Sequence, residues 1–223
     1  TRNGDLYVDD EEVEDLIRAL EGELAASRYG AAVRLEVAAE CTDELSTFLL
    51  DHFELTPNDL YRVNGPVNLN RLSMVADTSP RDELKYQPFT PNIPDALIQA
   101  DNLFDALQKK DVLLHHPFQS FVPVIDLLAS AAADPDVLAI KQTLYRTGPD
   151  SPIVDQLVAA ARAGKEVTVV VELMARSDEA ANIELSSRLQ EAGARVVFGV
   201  IGYKTHAKIL LIERRENAAL VRY

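Results

Sequence analysis

The stretch Glu166-Val167-Thr168-Val169-Val170-Val171-Glu172-Leu173 constrains this chain most. It is almost wholly apolar between its ends and rich in β-branched residues, the pattern of a strand covered on both faces. Segments of helical character bracket it. Gly148-Pro149-Asp150-Ser151-Pro152 turns into a helix running to Ala163 and closed by Gly164; a second helix spans 178–192 and is closed by Gly193. Further strands are predicted over Val137 to Tyr145 and Arg195 to Val200. Strands alternating with helices at this spacing predict an α/β fold whose mainly parallel or mixed sheet is flanked by helices, with right-handed crossovers.

The first part of the chain has another texture. Residues 5–8 read as a short strand, Asp9 or Asp10 as the cap of a helix to about Ser27, and Ala32 to Ala38 as an alternating strand. Thr42 opens a helix to about His52, Pro57 to Leu60 a turn or helix, and Asn68 to Val75 a short helix. This is a small α+β unit with no chemical signature of its own. Between residues 77 and 95, Pro80, Pro88, Pro91 and Pro94 interrupt regular structure, and Tyr86 to Pro91 reads as an extended surface connector. The domain boundary is therefore expected near residue 93, giving domains 1–92 and 93–223. After it, Val112 to His115 suggests a strand, and Ser120 can cap a helix to about Ala133.

The chain has 223 residues and a formal charge of −14. The first 110 residues carry 22 acidic and 10 basic groups, the remainder 14 and 12. The acidic part repels polyanions, which argues against a nucleic-acid binder, while the near-neutral part can gather cations where an anion must sit. Cys41 is the only cysteine, so no internal disulfide can form. No apolar run approaches the roughly 18 residues of a membrane span. A cytoplasmic setting is expected, with a peripheral place at the membrane as the alternative. The chain opens on Thr1 and stops at Tyr223, inside a stretch that reads as another strand, so a fragment of a longer protein is expected.

Open parallel sheets bind ligands beyond the carboxyl ends of their strands. Two successive strands deliver Arg146 and Arg176 to that rim, and Arg suits bidentate phosphate recognition. The bland alternative is a pair of surface arginines bonded to local acids such as Asp150 or Asp178. Farther on, His206 and Lys208 stand at the mouth of the apolar run Ala207 to Ile212, read as a buried strand. Two-residue spacing on a strand puts both side chains on one face. A nitrogen nucleophile beside a cation suits phosphate chemistry, and imidazole, with a reference pKa of about 6.5, is available in neutral form. The bland alternative is a strand-edge histidine with a lysine reaching to water. Glu172 and Asp178 are read as acids that hold the arginines or help bind a divalent ion. His115 and His116 hint at a metal, but no cysteine or third histidine lies near them in sequence. No Walker-type loop, no Gly-x-Gly-x-x-Gly after a strand and no Ser-His-Asp arrangement is present.

The ordered blocks Val137 to Arg146, Val167 to Ile183 and Lys204-Thr205-His206-Ala207-Lys208, with Pro88-Phe89-Thr90-Pro91 and Asp111 to Pro117, resemble the polyphosphate-synthesising type of polyphosphate kinase. The resemblance covers nearly the whole chain and is most specific from about residue 85. It implies that residues 1–92 are the C-terminal part of an α+β middle, head-type domain. Residues 93–223 would be the N-terminal part of the first phospholipase D-like catalytic domain. It further implies that His206 is an autophosphorylated nucleophile, that Lys208 stabilises phosphate charge, and that Arg146 and Arg176 belong to a magnesium–phosphate site, holding phosphate oxygens that also bind Mg²⁺. Glu213 stands where the phospholipase D-like motif usually has Asp and, facing away from His206, reads as a structural acid.

The implied reaction is reversible transfer of the ATP γ-phosphate to polyphosphate, with ATP, ADP and polyphosphate as partners, Mg²⁺ as cofactor and a homo-oligomeric full-length enzyme. The fragment alone is expected to be inactive, since the groups that hold the nucleotide base lie elsewhere. Two alternatives stay open: another phospholipase D-like phosphodiesterase with water as acceptor, and a non-catalytic polyanion-binding module.

Overall fold

The computed structural model describes residues 1–3, 16–27, 30–148, 150–175, 178–199 and 203–223. The expected strand over 5–8 and the start of the first helix lie outside them, as do Arg176 and Gly202. The chain divides into two compact units, one centred on residues 19–89 and one on 90–223.

The first unit contains most of α1 (Leu16–Ser27), β1 (Leu35–Ala38), α2 (Asp43–His52), β2 (Leu60–Val63) and α3 (Ser73–Thr78), with a 3-10 turn at Pro57–Asp59 and another at Leu69–Leu72. β1 and β2 pair in parallel, Leu35 opposite Leu60. The expected cap holds: the Thr42 hydroxyl accepts from Leu45 N at 3.3 Å, and Asp43 and Glu44 fill the first turn, where they favour the helix dipole. Arg62 fastens the sheet to that helix start, donating to the Cys41 carbonyl, the Asp43 carboxylate and the Ser46 hydroxyl. Ala32 to Arg34 lies outside the strand expected there; Ala32 instead forms a single antiparallel bridge with Arg2.

The second unit contains α4 (Asp95–Ile98), α5 (Leu103–Lys109), α6 (Val122–Ala133), β3 (Val137–Leu144), α7 (Pro152–Arg162), β4 (Glu166–Val171), α8 (Glu179–Glu191), β5 (Arg195–Val197), β6 (Leu210–Glu216) and β7 (Ala219–Arg222). The sheet order is β5-β4-β3-β6-β7. β3, β4 and β5 are parallel, whereas β6 runs antiparallel to β3 and β7 antiparallel to β6. The α/β architecture is as expected, and of the two sheet types anticipated the mixed one is found. Gly164, at φ +84°, closes α7 in a left-handed turn, with Lys165 N donating to the Ala160 carbonyl.

Helices α6, α7 and α8 pack side by side, on β3, β4 and β5 respectively. The core lies between them and the sheet: Leu128, Val154, Leu157 and Leu189 from the helices meet Ile140, Val169, Val171 and Ile212 from the strands, all at most 2% exposed. Burying such side chains stabilises by roughly 1.5–3 kcal/mol each. The opposite face is more open. Thr168 and Val170 of β4 are half-buried, and Leu138 and Lys141 of β3 are exposed. The expectation that β4 is covered on both faces is thus only half met. Val112 to His115 forms no strand; Leu113 is 88% exposed there. Among the described residues no helix is long and apolar enough to cross a membrane.

Candidate active site

Because β6 opposes β3, the segment leading into β6 arrives at the edge where β3 and β4 end. Lys204 to Ile209 has no regular structure, and β6 begins only at Leu210. The expected buried strand from Ala207 is corrected on both counts: Ala207 to Ile209 is exposed. The cause is Thr143. Its hydroxyl accepts from Ile209 N at 2.8 Å and donates to the Ala207 carbonyl at 2.7 Å, replacing ladder bonds with side-chain ones. Thr143 N still donates to the Ile209 carbonyl at 3.0 Å, so the segment stays tied to β3.

His206 and Lys208 are exposed and do converge, though not by strand alternation. Both reach Tyr145, the residue after β3. The His206 ring meets the Tyr145 ring edge to face at 5.0 Å between centroids, and Lys208 Nζ lies 4.5 Å from the Tyr145 centroid. Lys208 Nζ also donates to the His206 carbonyl at 2.6 Å, folding the His-x-Lys turn on itself. Arg146 follows Tyr145 and puts its Cζ 5.4 Å from the same centroid. One aromatic ring thus gathers an imidazole and two cations. Nothing local in the sequence marks Tyr145 as the meeting point.

The Arg146 guanidinium Nε pairs with Asp178 Oδ2 at 2.7 Å, which the sequence had raised as one alternative. The bond fixes the guanidinium in direction, and the Arg146 side chain is 54% exposed. Arg176 lies outside the described residues. Asn182, at the second turn of α8 and 2% exposed, donates to the Tyr145 carbonyl at 2.9 Å and the Glu172 carbonyl at 2.8 Å. It sutures the exits of β3 and β4. Glu172, 5% exposed, accepts from Met174 N at 2.9 Å and Thr205 N at 2.6 Å. Among the described residues, both of its carboxylate oxygens are bonded to backbone N–H groups.

Glu213 lies away from this cluster and accepts from Arg222 Nε at 2.9 Å, with Lys141 Nζ at 3.9 Å, as a structural acid would. His116 Nδ1 is bonded to the Gln119 carbonyl at 2.8 Å, and the His115 ring rests on Phe118. Among the described residues no group of three or more His, Cys, Asp or Glu is placed to hold a metal ion. At the rim, Asp178 is engaged by Arg146 and both Glu172 oxygens by backbone N–H groups. Among the described residues, both acids are thus already bonded within the protein.

Comparison with known proteins gives a consistent picture. The family model described as polyphosphate kinase C-terminal domain 1 matches residues 102–223, and the one described as polyphosphate kinase middle domain matches residues 1–75. A polyphosphate kinase of Pseudomonas aeruginosa is 61% identical over 223 residues, covering all of this chain and 32% of that protein. One from Pseudomonas putida is 59% identical, covering 100% of this chain and 31% of its own length. The crystal structure of polyphosphate kinase from Porphyromonas gingivalis superposes with a TM-score of 0.69 at 34% identity, over 83% of this chain and 28% of that one. The chain spans about a third of the length of the curated relatives it matches.

Proposed function

Since the chain belongs to the polyphosphate kinase family, we propose that it supplies the nucleophile of an ATP:polyphosphate phosphotransferase. His206 takes the γ-phosphoryl group of ATP and passes it, reversibly, to the end of a polyphosphate chain. The observation that carries this reading is the convergence of His206, Lys208 and Arg146 on Tyr145 at the exit of β3. Residues 1–92 then belong to the middle domain and 93–223 to the first catalytic domain, of phospholipase D-like type.

In this mechanism a ring nitrogen of neutral His206 attacks the γ-phosphorus. An N–P bond forms, the bond to the β,γ-bridging oxygen breaks, and ADP leaves with that electron pair. A terminal oxygen of polyphosphate then attacks the same phosphorus, the N–P bond breaks and the imidazole is restored. Phosphoryl transfer depends mainly on positioning and charge stabilisation. Lys208 and Arg146 supply cations on the near side of the nucleophile, and Arg176 is assigned the same role. Mg²⁺ is the expected cofactor, brought on the nucleotide's phosphates, where it would neutralise phosphate charge. A cytoplasmic, homo-oligomeric full-length enzyme belongs to the same reading.

The test uses the full-length protein with γ-³²P-labelled ATP. His206→Ala is expected to abolish the acid-labile label and polyphosphate synthesis together. Undiminished labelling of that variant refutes the assignment. Formation of ATP from ADP and polyphosphate separates this reaction from a phosphodiesterase that uses water.

A further inference from the structure

Nothing within Lys204 to Ile209 is helix or strand, so ties from outside the segment bear on the place of the His206 imidazole. Thr143 ties the downstream side, at Ala207 and Ile209. The upstream side is tied to the exit of β4 by two crossed bonds. Glu172 Oε2 accepts from Thr205 N at 2.6 Å, and Lys204 Nζ donates to the Met174 carbonyl at 2.9 Å. The other Glu172 oxygen accepts from Met174 N at 2.9 Å, so one carboxylate grips both strips of backbone.

The carboxylate's own place is well determined. Glu172 N donates to the Leu144 carbonyl at 3.0 Å, and its carbonyl accepts from Asn182 Nδ2 at 2.8 Å. Close packing adds to this. Gly199 has φ +58°, and a Cβ there would come within 3.2 Å of the Thr205 hydroxyl oxygen, so a side chain would press on the residue before His206. A buried carboxylate is costly unless its oxygens are hydrogen-bonded. Here each of the two N–H donors has its own acceptor oxygen. Glutamine offers only one and would turn an NH₂ against the second donor.

We infer that Glu172, with Lys204 as its counterpart, is a positioning latch that holds the His206 segment against the end of β4. Neither residue touches the phosphoryl group; both act through the backbone of Thr205 and Met174. The inference rests on the reading of His206 as the phosphoryl acceptor. A nucleophile misplaced by about 1 Å costs on the order of a hundredfold in rate, so loosening one bond of the latch should be visible in the chemical step.

The experiment compares Glu172→Gln and Lys204→Met with the parent in the full-length protein. It reads the pre-steady-state rate of acid-labile labelling of His206 at saturating ATP, the KM for ATP, and the folded fraction by thermal melting. A positioning role predicts a labelling rate about tenfold or more lower in Glu172→Gln and about threefold lower in Lys204→Met, per folded protein, with KM for ATP within about twofold. A purely structural role lowers the folded fraction and leaves the rate per folded molecule unchanged; rates within about twofold of the parent in both variants overturn the inference. If Glu172→Gln does not fold, the exposed Lys204 decides alone by the same twofold criterion. A parent that takes no label at residue 206 refutes the reading of His206 itself, whereas a labelled parent with equally fast variants refutes only the latch.

Discussion

The ring of Tyr145 stands edge-on to the imidazole of His206, with 5.0 Å between centroids and 81° between planes. Lys208 Nζ lies 4.5 Å from the centre of that same ring. Edge-to-face and cation–π contacts contribute about 0.5–1.5 kcal/mol each. Tyr145→Leu is therefore expected to slow labelling of His206 about five- to thirtyfold, a loss of about 1–2 kcal/mol. Tyr145→Phe keeps the ring and should stay within about twofold. Equal rates for the two variants would remove the ring from the account.

Arg146 and Asp178 form a half-exposed pair at 2.7 Å. Pairs of this exposure contribute about 0–1 kcal/mol to stability, so Asp178→Asn should change unfolding little. Arg146→Ala should instead lose about 2–4 kcal/mol of transition-state stabilisation, by analogy with removing one oxyanion donor. Polyphosphate synthesis rates and melting temperatures for the two variants, measured side by side, separate the roles.

Asn182 satisfies two strand-end carbonyls from a site that is 2% exposed. Asn182→Ala leaves the Tyr145 and Glu172 carbonyls without it, at a cost of about 1–3 kcal/mol. Native-state hydrogen exchange should show faster opening of β3, β4 and α8 amides, with little change in β7. Uniform acceleration across the second unit would contradict this local role.

A second polar cluster predicts pH dependence. Arg214 donates to Asp134 at 2.8 Å and to Glu216 at 2.9 Å, and Tyr223 OH donates to Glu216 at 2.5 Å. Burial pushes the Asp134 carboxyl up, but hydrogen bonds from Arg214 and Asp136 N outweigh it and hold the group below its ordinary value. The Tyr223 hydroxyl, then Arg214, lowers Glu216 in the same direction. Depressed carboxylates contribute stability that is present above their unfolded values, about 4, and lost as pH falls through the folded ones. Arg214→Met should cost about 1–3 kcal/mol in the opening of β6 amides at pH 7, and the gap from the parent should narrow below about pH 4. A gap that widens in acid would contradict the assignment.

The βα rhythm from Val137 to Val197 was legible because hydrophobic period and glycine stops are local signals. Asp178 beside Arg146 was legible as an alternative, since both belong to adjacent loops of one sheet edge. The start of β6 was not. Ala207 to Ile209 has strand-like composition, yet the Thr143 hydroxyl, 64 and 66 residues earlier in sequence, captures its backbone. The same distance problem hid Tyr145 and the bond from Thr205 N to Glu172. Their contacts depend on the antiparallel entry of β6, which composition does not encode. Val112 to His115 misled for the opposite reason: apolar content alone does not supply a neighbouring strand to pair with.

The antiparallel ladder of β3 with β6 sets Ile140 opposite Ile212 and Gln142 opposite Leu210. A slip of one residue along that ladder would slide the approach to β6 by about 3.3 Å and turn Ile212 from hydrocarbon into water. The sheet thereby works as a vernier: a buried isoleucine calibrates how far the His206 imidazole protrudes from the rim.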